Sequence, residues 1–367
     1  MPMKKKDKPD YFMIATTILL LAVGLIMVYS ASAVWADYRF HDSFFFVKRQ
    51  LLFAGIGIAL MLFVMNVDYW AWRKWAKVLL IVCFFLLIIV LIPGIGLVRG
   101  GARSWLGVGA FSIQPSEFMK IAMIIFLARF LADHQKQITS FRKGLLPMLF
   151  LIFLAFGMIM LQPDLGTGAV MVGTCLVMIY IAGAKLSHFL GLGFAGIAGL
   201  AALILSAPYR IQRITSFLDP WSDPLGSGFQ IIQSLYAIGP GGIMGLGLGQ
   251  SRQKFFYLPE PQTDFIFSIL AEETGFLGGA FVLIVLCIMS WRCPSIARHA
   301  PDMFASYLAV GIIGMLAIQV VINISVVTGL MPVTGITLPF LSYGGSSLTL
   351  MLGSVGILLN ISRYARY

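Results

Sequence analysis

Thr263-Asp-Phe-Ile-Phe-Ser-Ile-Leu-Ala-Glu-Glu-Thr-Gly-Phe-Leu-Gly-Gly-Ala-Phe-Val-Leu-Ile-Val-Leu-Cys-Ile-Met-Ser290 decides the fold. Apart from Asp264 at its mouth and Glu272–Glu273 inside, the run is apolar and longer than the roughly 20 residues a helix needs to cross a bilayer. Asp264 is the odd member. An ionised carboxylate in hydrocarbon is costly unless hydrated or paired, and such residues mark function by default. A carboxylate at the edge of a span points to chemistry at a membrane surface.

The rest of the chain agrees. Of its 367 residues 59% are hydrophobic and 11% charged, with a mean hydropathy of +0.92; soluble domains carry about a quarter charged residues. This excludes a string of soluble domains and predicts a single membrane domain over residues 1–367. The net charge of +11 comes from basic residues scattered in short loops. That pattern fits positive loops held on the cytoplasmic side better than nucleic-acid binding. Cys83, Cys175, Cys287 and Cys293 lie in apolar runs or at a span end, without metal-ligand spacing to His, so neither a disulfide nor a zinc site is expected. Lys4–Lys8, an apolar run and Ala31-Ser32-Ala33 have the outline of a secretory signal. The run from Tyr11 to Tyr29 is too long for a signal core, which predicts an uncleaved first span.

Ten apolar segments predict an all-α, polytopic architecture with ten transmembrane helices: 11–33, 44–66, 75–93, 115–132, 145–161, 167–183, 187–206, 263–290, 304–329 and 345–362. Gln162-Pro-Asp-Leu-Gly166 reads as a tight hairpin between the fifth and sixth. The only long connection, 207–262, lies between the seventh and eighth. The Lys and Arg distribution predicts cytoplasmic termini and an extracytoplasmic 207–262 loop. Within that loop, 211–217 and 229–238 are expected to lie along the interface, while Gly239-Pro-Gly-Gly242 and Gly245-Leu-Gly-Leu-Gly249 break and turn the chain.

This topology gathers the unusual polar residues on the outer side. Lys48 and Arg49 open the second span, as headgroup-facing cations or as ligands. Trp105 and Arg103 lie in the 94–114 loop, where such side chains suit the headgroup zone. Pro115 begins the fourth span, so Glu117 and Lys120 share a face at i, i+3 and are able to pair. Asp164 is a hairpin cap or a functional acid. Glu272 and Glu273, deeper in the eighth span, read as structural groups bonded within the bundle. Ser346 and Ser347, beside Gly344-Gly345, read as close-approach residues, and no His nearby supports a Ser-His-Asp triad. Asp264 is expected in the first, positive turn of its helix. There a carboxylate accepts a hydroxyl proton or binds a metal ion, with Arg252 and Lys254 placed to meet phosphate oxygens. No phosphate-cradling Gly-x-x-x-x-Gly-Lys-Ser/Thr loop and no Asp-x-Asp pair is present. Any group transfer must then be driven by an activated lipid substrate such as a polyprenyl diphosphate, with no nucleotide cofactor.

Four motifs, Gln114-Pro-Ser-Glu-Phe-Met-Lys120, Gln162-Pro-Asp-Leu-Gly-Thr167, Leu258-Pro-Glu-Pro-Gln-Thr-Asp-Phe-Ile-Phe267 and Pro339-Phe-Leu-Ser-Tyr-Gly-Gly-Ser346, occur in one order across the chain. Together they closely resemble the SEDS family (shape, elongation, division and sporulation), and most of all its sporulation branch. The resemblance implies a peptidoglycan glycosyltransferase of the bacterial cytoplasmic membrane that polymerises lipid II onto a nascent glycan chain. It also implies a class B penicillin-binding protein as partner and a divalent cation, magnesium or manganese, as cofactor. It marks Asp264 as the essential acid, and Arg49, Trp105, Glu117, Lys120 and Asp164 as further functional residues. The expected chemistry is an inverting transfer, with Asp264 as general base on the acceptor sugar hydroxyl and undecaprenyl diphosphate as leaving group. A lipid II flippase and a non-catalytic scaffold for the penicillin-binding protein are the alternatives.

Overall fold

A computed structural model describes residues 8–99, 102–108, 111–206, 211, 215, 217–226 and 228–365. Eleven helices are described: α1 (Tyr11–Phe40), α2 (Phe45–Asn66), α3 (Tyr69–Leu91), α4 (Pro115–Asp133), α5 (Leu146–Met160), α6 (Leu165–Ile181), α7 (Leu186–Leu205), α8 (Phe229–Ile238), α9 (Ile266–Arg298), α10 (Met303–Val327) and α11 (Gly345–Ser362). A π-helical turn, Phe141–Leu145, leads into α5.

The expectation of ten membrane spans is corrected. Among the described residues, seven helices are long and apolar enough to cross a membrane: α1, α2, α3, α5 with its leading turn, α9, α10 and α11. The physical reasons differ for the other three. α4 carries Glu117, Lys120, Arg129 and Asp133 within its 19 residues, and α6 is 17 residues long. α7 includes side chains outside the described set. A second correction concerns 94–114, read from sequence as a plain loop. It holds three short antiparallel strands, β1 (Leu97–Arg99), β2 (Ala102–Val108) and β3 (Phe111–Ile113), in the order β1-β2-β3.

The local starts follow from capping. Asp10 opens α1 by accepting hydrogen bonds from the Phe12 and Met13 amides, which satisfies orphan donors of the first turn. Asp302 does the same for α10 through the Ala305 amide. Pro115 at the start of α4 gives up an amide that had no partner to lose. The candidate cleavage segment Ala31-Ser32-Ala33 lies inside the continuous α1, with Ser30, Ala31 and Ser32 buried.

Large side chains such as Phe63, Ile81 and Phe85 stay exposed along α2 and α3, as suits helices facing lipid. Inside, small residues set the close contacts. A Cβ on Gly24 of α1 would stand 2.3 Å from the Phe340 carbonyl oxygen, and one on Gly356 of α11 2.6 Å from that of Met61 on α2. Of the long 207–262 connection, the 211–217 piece falls mostly outside the described residues. The 229–238 piece is α8, and it is not simply interfacial. Its Ile231, Ile232, Ser234 and Ala237 are buried, and Ser234 donates to the Val327 carbonyl at 2.6 Å and pairs with Ser268 at 2.7 Å.

Candidate active site

The beginnings of α2, α4, α6, α9 and α11 meet the end of α10 at one end of the bundle, and side-chain hydrogen bonds tie them. Gln50, on α2 beside Arg49, donates to the Ser342 carbonyl at 3.0 Å and accepts from the Gly344 amide at 3.3 Å. Ser346 on α11 donates to the Ser112 carbonyl of β3 at 3.0 Å. The Tyr343 amide donates to the Gln262 carbonyl at 2.8 Å.

Two sequence motifs converge on Asp164. Its carboxylate caps α6 by accepting from the Thr167 amide at 3.1 Å, and also accepts from Gln114 at 2.8 Å and Ser116 at 3.1 Å. The cap reading and the functional reading therefore describe the same side chain. Burial pushes the Asp164 carboxyl above its ordinary range, and the Glu117 charge adds to the rise. Glu117 and Lys120 pair at 2.8 Å with Lys120 only 1% exposed. A buried pair of this kind is strongly destabilised by removal of one partner alone.

Asp264 lies outside the helix, not in its first turn. α9 begins at Ile266, and Thr263, Asp264 and Phe265 form a turn before it. The carboxylate accepts from the Thr263 hydroxyl at 2.9 Å. The Asp264 carbonyl is held by the Asn323 side-chain amide at 2.7 Å, whose other hydrogen goes to the Ile336 carbonyl at 2.7 Å. Both of those acceptors are carbonyls, so the amide orientation of Asn323 is fixed, and its own oxygen is buried without a protein partner. Asp264 is partly buried. Burial, helped by Glu260 and opposed by Thr263, pushes its carboxyl up to about 6. A carboxylate of that strength is suited to taking a proton near neutral pH.

The structure thus bonds Glu117 with Lys120, and Asp164 with the Gln114–Ser116 turn that opens the same helix. It joins this group to Asp264 through 334–336: a Cβ on Gly166 would stand 2.6 Å from the Thr334 carbonyl oxygen and 2.9 Å from Ile336, and Ile336 shares Asn323 with Asp264. Arg49 is half-buried at the α1–α2 corner, its guanidinium 4.1 Å from the Phe45 ring centroid. Trp105 is half-buried on β2, and it is the next strand that touches α11. Lys254 departs from expectation. It is buried and committed to Glu273 at 3.2 Å and to the Gly249 carbonyl at 2.6 Å, so it does not face phosphate. Arg252 is exposed. Sequence reading misses Gln50, and it holds Gln114 and Ser116 only as motif members without a role. The available signal was a lone amide or hydroxyl inside or at the mouth of an apolar helix, which seldom goes without a specific partner.

Many apolar spans, with a partly buried carboxylate of raised basicity where several helices begin, define an integral-membrane protein. The chain matches FTSW_RODA_SPOVE, described as a cell cycle protein, over residues 10–367, and belongs to that family. It is 70% identical over 363 residues to stage V sporulation protein E of Bacillus subtilis (strain 168), covering 99% of both chains. It is 44% identical over 364 residues to the probable peptidoglycan glycosyltransferase FtsW of Geobacter sp. (strain M18), again covering 99% of both. Its fold is similar to that of a chain in a structure described as the structural coordination of polymerization and crosslinking by a peptidoglycan synthase complex. The TM-score there is 0.80 at 30% identity, covering 97% of this chain and 98% of that one. Thermus thermophilus rod shape determining protein RodA is similar at TM-score 0.73 and 26% identity, covering 98% of each.

Proposed function

We propose that this chain is a peptidoglycan glycosyltransferase that polymerises lipid II, with Asp264 as general base. The single observation that carries the residue assignment is the Asp264 carboxylate. It is partly buried, bonded only to Thr263 among the described side chains, and pushed up to about 6. The membership of the family and the likeness to a peptidoglycan synthase chain support the activity.

The acceptor is the sugar 4-hydroxyl of one lipid II, and the donor is a glycan chain carried on undecaprenyl diphosphate. Asp264 takes the hydroxyl proton as the oxygen attacks the anomeric carbon, and the bond to the diphosphate breaks. An α-linked donor giving a β-1,4 product is inverted, so no covalent glycosyl-enzyme is required. General-base catalysis contributes typically about 10²–10⁴-fold. Charge builds on the departing diphosphate, where preorganised cations and helix N-termini have most effect. Arg49 is the cation offered for that role; Lys120, buried and paired with Glu117 at 2.8 Å, holds the α4–α6 entrance together with Glu117 and Asp164, and Trp105 packs against the lipid-linked sugars.

Among the described residues, no group of three His, Cys, Asp or Glu side chains forms a cage for a metal ion. Magnesium is commonly held largely by substrate phosphates. With Asp264 given to the hydroxyl proton, such an ion would be held mainly by the diphosphate, whose charge it would neutralise. The site is assigned to the outer face of the bacterial cytoplasmic membrane with both termini cytoplasmic, on the Lys and Arg distribution. A class B penicillin-binding protein is the partner that would cross-link the strands.

The test is polymerisation of purified lipid II by the reconstituted protein and its Asp264→Asn variant. Glycan strands from the parent and none from the variant are expected. Strands from both would remove Asp264 from the base role, and lipid movement without strands would remove the transferase.

A further inference from the structure

α9 is not one helix. At Gly275 the backbone turns to φ 67°, ψ −164°, a conformation open to glycine and strained for other residues. The ordinary partners there would be the Phe276 and Leu277 amides with the Glu272 and Glu273 carbonyls. Instead those carbonyls accept from the Leu246 and Gly247 amides, both at 3.0 Å, while the Phe276 and Leu277 amides donate to the Gly242 and Ile243 carbonyls at 2.8 and 3.1 Å. The glycine-rich 242–247 segment is spliced into the break. A Cβ on Gly245 would stand 2.2 Å from the Glu273 carbonyl oxygen.

The side chains of the same two acids seize the next stretch of the loop. Glu272 accepts from the Ser251 hydroxyl at 2.5 Å and from the Arg252 amide at 2.9 Å. Glu273 accepts from Lys254 at 3.2 Å and from Ser30 of α1 at 2.6 Å. Both acids are 1% exposed and Lys254 6%. Paired and buried, these carboxylates are spent on holding the chain. What they hold is a ring. Residues 254–273 leave the Glu273 contact, run through Leu258–Asp264 and return along the short half-helix 266–274. Asp264 lies within that ring, and Ser30 fastens it to α1.

We infer that Glu272 and Glu273, with Lys254 and Ser30, are positioning residues: a latch that fixes the loop bearing Asp264 against α1 and α9 so that the carboxylate meets the acceptor hydroxyl. The inference rests on the reading of Asp264 as general base. The latch touches neither substrate nor the carboxylate. Its loss therefore acts on the transfer step and leaves substrate binding largely in place.

The experiment measures kcat and KM for lipid II, with the pH profile, in reconstituted Glu273→Gln, Ser30→Ala and the swap Lys254→Glu/Glu273→Lys, each checked for monodispersity. For Glu273→Gln, kcat is expected to fall roughly 10–100-fold, the scale of a small misplacement of a catalytic group. KM should stay within about twofold, the acid limb of the profile should keep its midpoint, and the swap, which leaves the Ser251 amide and the Gly249 carbonyl without their partners, should not restore kcat. If Glu273→Gln fails to fold, Ser30→Ala carries the same expectation, a smaller fall in kcat at unchanged KM. Parental kcat in Glu273→Gln and Ser30→Ala overturns the latch, as does a rise in KM at unchanged kcat, or an acid limb that moves with Glu273. Asp264→Asn, run alongside, separates the two ideas: turnover in that variant sinks the base assignment, whatever the latch variants do.

Discussion

Asp264 and Glu273 sit nine positions apart on one stretch of chain, and they are held in opposite ways. Glu273 is saturated: Lys254, the Ser30 hydroxyl, which reaches both carboxylate oxygens, and the Ser251 backbone amide converge on it. Asp264 has one hydroxyl on its carboxylate, while its backbone is pinned by Asn323. The difference separates mechanical acids from chemical ones. A carboxylate with every lone pair engaged has little left to offer a substrate, whereas one with a fixed backbone and a nearly free head is placed and unspent.

The largest expected effect is that of Asp264→Asn, which should lower lipid II polymerisation by about 10²–10⁴-fold. It should leave the melting temperature at pH 7.5 unchanged or higher. The sign follows from burial: a carboxyl held above its ordinary value binds its proton more tightly folded than unfolded, so the ionised form opposes folding above that range and asparagine removes the opposition. A variant that melts markedly lower would place Asp264 among the mechanical acids and break the contrast.

Next comes the pair Glu117–Lys120, which tests whether a buried, ion-paired acid near the site is also mechanical. Lys120→Met alone leaves Glu117 buried without its cation and should destabilise by about 3–5 kcal/mol, measured by thermal unfolding in detergent. Glu117→Gln/Lys120→Met together should recover much of that loss. Recovered stability with absent polymerisation would show the pair acting on substrate as well as on the fold.

The pH dependence sharpens the contrast further. Asp264 must be deprotonated to act, so kcat/KM should rise as pH passes through about 6 and then level off. A profile flat from pH 5 to 7 would remove Asp264 from the titrating role. Smaller again is Gly275→Ala. It places a Cβ 2.4 Å from the Gly245 amide nitrogen in a left-handed backbone, and should lower the unfolding temperature with a modest loss of turnover. At the bottom lies Asp42→Asn, which removes the exposed pair with Lys48. No measurable change in stability is expected there, and a clear loss would mean that surface charge near α2 matters more than its exposure allows.

The functional motifs were legible in sequence because each is local. Gln114–Lys120 and Gln162–Thr167 are helix starts, and proline, a capping acid and an i, i+3 pair carry the structure inside a few residues. The membrane class was legible from composition. The number of spans was not, since apolar length alone does not distinguish α4, with the Glu117–Lys120 pair buried in the bundle, or the short α6 from a helix exposed to lipid. The strands of 94–114 went unread because segments of three to seven residues are too short to show a clear alternation. Contacts such as Ser30–Glu273 and Gln50–Ser342 join residues more than 240 positions apart. They leave no pattern in either neighbourhood.

The splice at Gly275 has a consequence for how this chain can vary. Two amides of the 242–247 segment feed the helix, and two of its carbonyls are fed by it. One residue added or removed there would shift all four partners at once and leave buried backbone groups unmatched. Chain length should be frozen at those six positions, while the exposed turn at 219–226 is free to grow or shrink; a library of single-codon insertions scored for cell-wall synthesis would trace that boundary.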